Sequence, residues 1–279
     1  MEVVNKNQER NYKYSESCVF RKTKESFGGL SNMASGFPLK VNGIFILTSE
    51  ALYQACRFPH LPDVQKKIIQ EKSPMSAKMV GKPFRSNSRP DWDNVRNEIM
   101  YWCLRVKLAQ NFFSFGQLLA TTDNKPIVED SSKDRYWGAV KDKDDETTLT
   151  GVNALGRLLM KLRKEYYSEN RLDLLFVEPL KIPNFVLYHN TIQVVDERQK
   201  FLDTLAKSWR ISPNTTISKF ESKVYNETET EILVTSVVHE PEEKLEKTGK
   251  QDVKPKQKRK SKTKTALPTT TNGDLFGDL

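Results

Sequence analysis

At 279 residues, with 45 Lys+Arg against 36 Asp+Glu and a formal net charge of +9, the chain has room for one large domain with appendages. The excess charge is local. Residues 244–264 hold ten basic side chains and two acids, a net +8 that leaves +1 for the other 258 residues, so a body bound to nucleic acid mainly by a broad basic face is not what this balance suggests. Three scattered cysteines without a CxxC pair, and three histidines without an HExxH pattern, argue against a disulfide framework and a zinc centre. With no apolar N-terminal stretch and no run of about 18 apolar residues, a soluble protein of a reducing cytoplasm, without membrane contact, is expected.

In chain order, residues 1–17 read as an N-terminal arm. A short strand at 18–20 follows, then a turn at Gly28-Gly29 and a hairpin over 37–47 centred on Asn42-Gly43, the strongest short hairpin signal. Ser49 offers a cap oxygen for a helix over 50–58, with Glu50 in the first turn where the helix dipole favours a carboxylate. Proline opens two short helices at 62–72 and 74–79. Asp91 and Asp93 start a long one, with Val95, Ile99, Trp102, Cys103 and Val106 at helical spacing. Residues 112–120 read as a helix, 126–129 as a short extended piece, and 153–167 as a helix with Leu155, Leu158, Leu159, Leu162 and Tyr166 on one side. The sum is an α+β, mainly helical domain over 18–170 with a small antiparallel sheet. Residues 171–212 are expected to add a strand pair and a helix packed on that domain, and 213–279 to form a disordered tail whose composition cannot bury enough surface to offset ordering.

Four clusters interrupt the apolar pattern with polar and aromatic residues: 27–32, 49–54, 129–137 and 151–156. Glycines beside Ser or Asn let backbone amides approach a ligand, and Tyr53 or Trp137 can stack on a planar base, although simple turns and core packing explain the same residues. Glycine-rich phosphate loops of the P-loop, Rossmann or macrodomain type are missing.

Phe27-x-x-Leu30-Ser31-Asn32, Ser49-Glu50-x-x-Tyr53-Gln54-Ala55-x-x-Phe58, Ala77-Lys78, residues 100–111, Glu129-x-x-x-x-Asp134-x-x-Trp137-Gly138 and Gly151-x-Asn153-x-Leu155-Gly156-x-x-Leu159-Met160 stand in this order. Together they resemble the NADAR, or YbiA-like, family. The resemblance implies a mainly helical fold with a small sheet and a cofactor-free, metal-free N-glycosidase acting on ADP-ribose or riboside-phosphate compounds. Where many members have Glu-His, this chain has Glu50-Ala51, and Arg57 stands where Lys is common. That variant resembles the branch of antitoxins that remove ADP-ribose placed on guanine in DNA by DarT-like toxins. ADP-ribosylated DNA and a cognate toxin are the partners it implies.

Breaking an N-glycosidic bond builds positive charge at the anomeric carbon, which a carboxylate can stabilise. Glu50 is the first candidate for that role. Lys78 can donate to phosphate or, with a desolvated amine, attack the opened ribose as a Schiff-base nucleophile. Glu129 and Asp134 can hold ribose or orient water, Trp137 and Tyr53 can wall the ligand, and Asn32, Gln54 and Asn153 carry both donors and acceptors, as ribose hydroxyls require. Arg96 and Arg105 suit ion pairing as well as phosphate. Three functions follow: reversal of guanine ADP-ribosylation in DNA, hydrolysis of a free phosphorylated riboflavin-pathway intermediate, and ligand or toxin binding without turnover.

Overall fold

The structure, a computed structural model, describes residues 8–142 and 145–208. Its axis is the long helix α4 (Trp92–Gln110), which is apolar on so many sides that neighbours cover it all round: Ile99, Cys103, Leu104, Val106 and Leu108 have no exposure. Around it lie α1 (Ser49–Cys56), α5 (Phe112–Ala120) and α6 (Ala154–Tyr166). The proline-started helices α2 (Pro62–Gln70) and α3 (Pro74–Gly81) stack on α1, as the sequence predicts.

The strands are short and form separate ribbons. β1 (Arg10–Lys13), β7 (Thr148–Gly151) and β6 (Val140–Lys141) make a three-stranded antiparallel sheet in the order β1-β7-β6. Part of the expected N-terminal arm is therefore a strand of the domain. With only Tyr12 buried in an exposed-exposed-buried-exposed pattern, β1 carries little signal of its own and is defined by a partner almost the whole domain away in sequence. β2 (Cys18–Phe20) pairs with β5 (Ile127–Glu129) in parallel, setting Phe20 opposite Glu129. β3 (Leu39–Val41) and β4 (Ile44–Ile46) form the expected hairpin, with Asn42 at φ 51° and Gly43 at φ 78°. Positive φ at both central residues is what a two-residue turn of matching twist requires.

The segment after α6 is part of the same core. β8 (Phe176–Val177) pairs with β11 (Val195–Asp196), and between them β9 (Val186–Leu187) pairs with β10 (Asn190–Thr191). The pair of strands expected from sequence is thus one ribbon nested inside another. Val177, Phe185, Leu187 and Val195 join the α4 core; Trp102 meets Phe185 edge-on at 4.9 Å and donates from Nε1 to the Glu178 carbonyl at 2.9 Å. The helix α7 (Arg198–Ser208) buries Phe201 and Leu205. The expected tail lies outside the described residues. Among the described residues no helix is long and apolar enough to cross a membrane.

Candidate active site

The N-terminus of α1 forms the floor of the site. Thr48, not Ser49, caps this helix: its Oγ1 accepts from the Ala51 amide at 3.2 Å. Ser49 lies inside the first turn and donates instead to the Asn32 carbonyl at 3.1 Å, and the Glu50 amide donates to the same oxygen at 2.9 Å. The loop carrying Asn32 is thereby fastened to the helix. Glu50 is 4% exposed, yet both carboxylate oxygens are solvated by amides: Gln54 Nε2 donates to Oε1 at 2.9 Å and Asn32 Nδ2 donates to Oε2. The second of these contacts is charge-assisted.

Lys107 fixes the Asn32 loop from behind and was not picked out by the sequence reading. It has no exposure, and its Nζ donates to the Gly29 and Ser31 carbonyls at 2.7 and 2.9 Å while lying over the rings of Phe115 and Phe37 at 4.2 and 4.8 Å. Burial pushes its pKa well below the ordinary lysine value. A lysine inside the apolar run 102–109 was the available signal. The turn it holds requires glycine, because a Cβ on Gly28 would collide with the Lys22 and Thr23 backbone. Met100, from the same helix, places Sδ 3.9 Å from Asn32 Nδ2.

The rim comes from β5, the loop after it and α3. Asn153, in the left-handed region at φ 51° and without exposure, clamps β5: its Nδ2 donates to the Ile127 carbonyl at 2.8 Å and its Oδ1 accepts from the Glu129 amide at 3.2 Å. The structure thus takes up the amide of this expected ligand contact in positioning Glu129, because αL geometry at the start of α6 turns the side chain back under the strand. Gly156 permits that approach, since a Cβ there would strike the Ile127 carbonyl. Asp134 Oδ1 accepts from the Tyr136 and Trp137 amides, both at 2.9 Å, which shapes the turn that presents Trp137. Trp137 stands edge-on to Tyr53 at 5.6 Å, and Tyr53 packs on Trp92 at 5.0 Å. Burial, aided by the Glu50 charge, pushes the Tyr53 hydroxyl well above its ordinary value, so it stays a neutral wall.

Glu129 feels the rest of the site. Burial pushes its pKa up to about 7, the Asp134 and Glu50 charges push in the same direction, and Lys78 pulls back. Through these couplings Glu129 senses Glu50 from α1, Lys78 from α3 and Asp134 from the loop that follows β5, three segments of the chain. Lys78 projects from the last turn of α3, which Ser73 caps by accepting from the Ser76 amide at 3.4 Å. Of the expected residues, Asn32, Glu50 and Gln54 meet in the floor and Tyr53 and Trp137 in the wall. Arg96 pairs with Asp93 at 3.5 Å and covers the Tyr136 ring at 4.0 Å, and Arg105 donates to the Phe176 carbonyl at 3.4 Å.

Two surface cavities, of ≈ 680 and ≈ 570 Å³, lie elsewhere, the larger beside β1 and the smaller beside the β9–β10 ribbon. The Glu50 cluster is the candidate active site nonetheless, because it combines an amide-solvated carboxylate with a carboxyl pushed up to about 7 that senses the Lys78 charge. Among the described residues no group of three or more His, Cys, Asp or Glu is placed to hold a metal ion.

Comparison with known proteins supports the same segment. The chain is 35% identical over 150 residues to N-glycosidase YbiA of Escherichia coli (strain K12), covering 54% of this chain and 88% of that protein. It is 32% identical over 171 residues to a riboflavin biosynthesis protein of Vibrio vulnificus (strain YJ016), covering 60% of this chain and 44% of that one. The NMR structure of Escherichia coli YbiA matches 54% of this chain and 84% of its own at 31% identity, with a TM-score of 0.46. The NADAR domain matches residues 19–166, the stretch that supplies every floor, wall and rim residue above, and the chain belongs to the NADAR family.

Proposed function

We propose that this NADAR domain is an N-glycosidase that releases ADP-ribose from guanine bases of DNA and so reverses the modification made by a DarT-like toxin. The observation that carries the reading is the Glu50 carboxylate solvated by Asn32 and Gln54 inside the core, together with Glu129 pushed up to about 7 by burial and neighbouring acids and drawn back by Lys78. As the bond from the anomeric carbon to the base nitrogen lengthens, positive charge grows on the sugar, and the Glu50 carboxylate stabilises it without reorganising. Glu129, about half protonated at pH 7, gives its proton to the departing base, and water supplies the hydroxyl that ends on the sugar. Lys78 offers the alternative of adding its amine to the anomeric carbon of the opened ribose. The base then leaves with a proton as its bond to that carbon breaks and a lysine imine forms, which water hydrolyses to the sugar aldehyde and the free amine. Relatives named N-glycosidase YbiA support the bond class.

The DNA substrate is supported by the Glu50-Ala51 pair, which provides no imidazole on α1, and by the Lys-rich 244–264 segment outside the described residues, which would hold DNA through its phosphates. A second reading, a free phosphorylated riboflavin-pathway intermediate as substrate, is favoured by the relatives named riboflavin biosynthesis proteins. A guanine-modified oligonucleotide and the free intermediate, incubated separately with the purified chain in EDTA, separate the two. Release of ADP-ribose from DNA with little action on a thymine-linked conjugate supports the first reading. Action on the free intermediate alone replaces it with the second, and binding of ADP-ribose without turnover of either leaves a binding module.

A further inference from the structure

The floor helix ends on a charged residue that the N-glycosidase chemistry does not use. Glu50, Tyr53, Gln54 and Arg57 stand at i, i+3, i+4 and i+7, on one helical face. Arg57 follows the last residue of α1 and keeps right-handed helical angles, so the stripe that begins with Glu50 closes on a guanidinium. Seven residues of helix rise about 10 Å, which separates a group acting at an anomeric carbon from one acting several bonds further along the same ligand.

Arg57 is held at one edge and open at the other. Its Nε donates to Ser88 Oγ at 2.6 Å, and that hydroxyl donates to the Arg85 carbonyl at 2.6 Å. The guanidinium lies over the Trp92 ring, 4.9 Å from its centre. Trp92 packs on Tyr53 at 5.0 Å and Tyr53 meets Trp137 at 5.6 Å, so an aromatic row joins Arg57 to the wall of the site. Among the described residues Nη1 and Nη2 have no hydrogen-bond partner, and on this half-buried side chain neither is closed to solvent, in contrast to the sealed Nε of Arg96. The carbonyls at this end of α1 do not claim them: Ala55 accepts from Gln65 Nε2 at 3.1 Å and Arg57 from the Arg89 amide at 3.0 Å.

The charge around that open edge is positive. Trp92 and Arg96 stand one turn apart on α4, which sets the Arg96 cation next to Arg57. Burial acts against the Arg57 cation, the Arg85 and Arg96 charges add to that, and Tyr53 and Asp93 oppose it. Asp93 is the one carboxylate in that balance; it is 70% exposed and pairs with Arg96 at 3.5 Å. Two open nitrogens on a planar fork, beside a second cation, suit two oxygens of one phosphate. We propose that Arg57, with Arg96 beside it, binds a phosphate carried on the primary carbon of the ribose whose anomeric bond Glu50 serves, and so selects phosphorylated ribosides over unphosphorylated ones. The assignment rests on the N-glycosidase reading for the place of the sugar, and it holds for either of the two substrates above.

Two ligands that differ only in the phosphate test this without turnover. Ribose phosphorylated on its primary carbon, and ribose itself, are titrated separately into the full chain at fixed ionic strength and followed by saturation-transfer NMR on the ligand signals. Wild type prefers the phosphate ester by about a hundredfold in Kd, the value of two hydrogen bonds to a charged group. Arg57→Met keeps the stem over Trp92 and removes the charge, and it brings the two ligands to the same affinity. If circular dichroism shows that variant unfolded, Arg57→Lys takes its place: it keeps a cation without the fork and lowers the preference by about tenfold. Equal affinity of the wild type for both ligands would overturn the proposal, and so would a preference that survives unchanged in a folded Arg57 variant, including one in which both ligands weaken alike because the floor has loosened. An Arg57-dependent preference in a chain inactive on both substrates removes the N-glycosidase reading and leaves the phosphate contact standing. Turnover without the preference removes the contact alone.

Discussion

The floor and the rim of the site handle their carboxyl groups in opposite ways. In the floor, Glu50 lies deep in the core with an amide donor on each oxygen, from Asn32 and Gln54, so protein replaces the water that burial removes. In the rim, Glu129 has its backbone amide clamped by Asn153 while its carboxyl receives no protein donor among the described residues, and burial with two neighbouring acids moves it to about 7. One carboxyl is thereby held by side-chain amides, and the other is left to its burial and its charged neighbours. The difference lies in what each segment supplies: a helix N-terminus met by a loop brings side-chain amides, whereas a strand end brings a carboxyl and no partner.

The comparison breaks most severely at Lys78, whose charge the rim carboxyl senses. Lys78→Arg keeps the cation but not a useful nucleophile, and it lowers turnover by at least about 10³-fold if the amine forms an imine with the opened sugar. Borohydride added during turnover then traps an adduct on the wild-type peptide containing Lys78 and not on the variant. An active arginine variant with no adduct reduces Lys78 to a phosphate contact. Glu50→Gln tests the floor as a fixed charge: it keeps shape and most hydrogen bonds, raises the barrier by about 2–4 kcal/mol and leaves ligand affinity near wild type, as isothermal titration and kcat measure. Full activity in that variant removes the electrostatic role.

Lys107→Met asks whether the floor depends on its buried strut. Two carbonyls lose their donor, which costs about 2–3 kcal/mol in urea unfolding, and the loosened Asn32 loop lowers kcat more than it raises KM. Equal stability and rate would show that the carbonyls find other partners. The smallest effect concerns the rim proton. Because the folded chain favours neutral Glu129, the stability this gives is complete below the ordinary glutamate value of 4.5 and is lost as pH rises through about 7, on the order of 1 kcal/mol after solvent screening. Glu129→Gln removes that slope from denaturation curves. In turnover, the falling limb near pH 7 moves to lower pH in Asp134→Asn, which deletes a charge that now raises Glu129.

Much of this was legible before any coordinates. The hairpin at Asn42-Gly43 was, because two residues needing positive φ stood between apolar runs; α2 and α3 were, because proline marked their first turns; and α4 was, because its apolar positions repeat over five turns. The cap of α1 was misplaced by one residue, since Thr48 and Ser49 both offer a hydroxyl and only the position of the Asn32 carbonyl decides which of them turns inward. For the same reason the three floor residues were named as candidates without their mutual geometry. Lys107 was hidden because charge alone predicts a surface residue, and its satisfaction comes from carbonyls 76 and 78 positions away.

The sequence by itself determined which segments form helices and turns, and it carried the ordered motif blocks that mark the family, because both rest on residues close together along the chain. Only the tertiary structure decided what each polar group does. Pairing β2 with β5 in parallel and β1 with β7 joins segments more than a hundred residues apart, and that closure sets Glu129, at the end of β5, opposite Phe20. Whether Asn153 meets a ligand or clamps a strand, and whether Glu129 is charged at pH 7, are matters of burial and of distance between remote atoms, which no local pattern encodes.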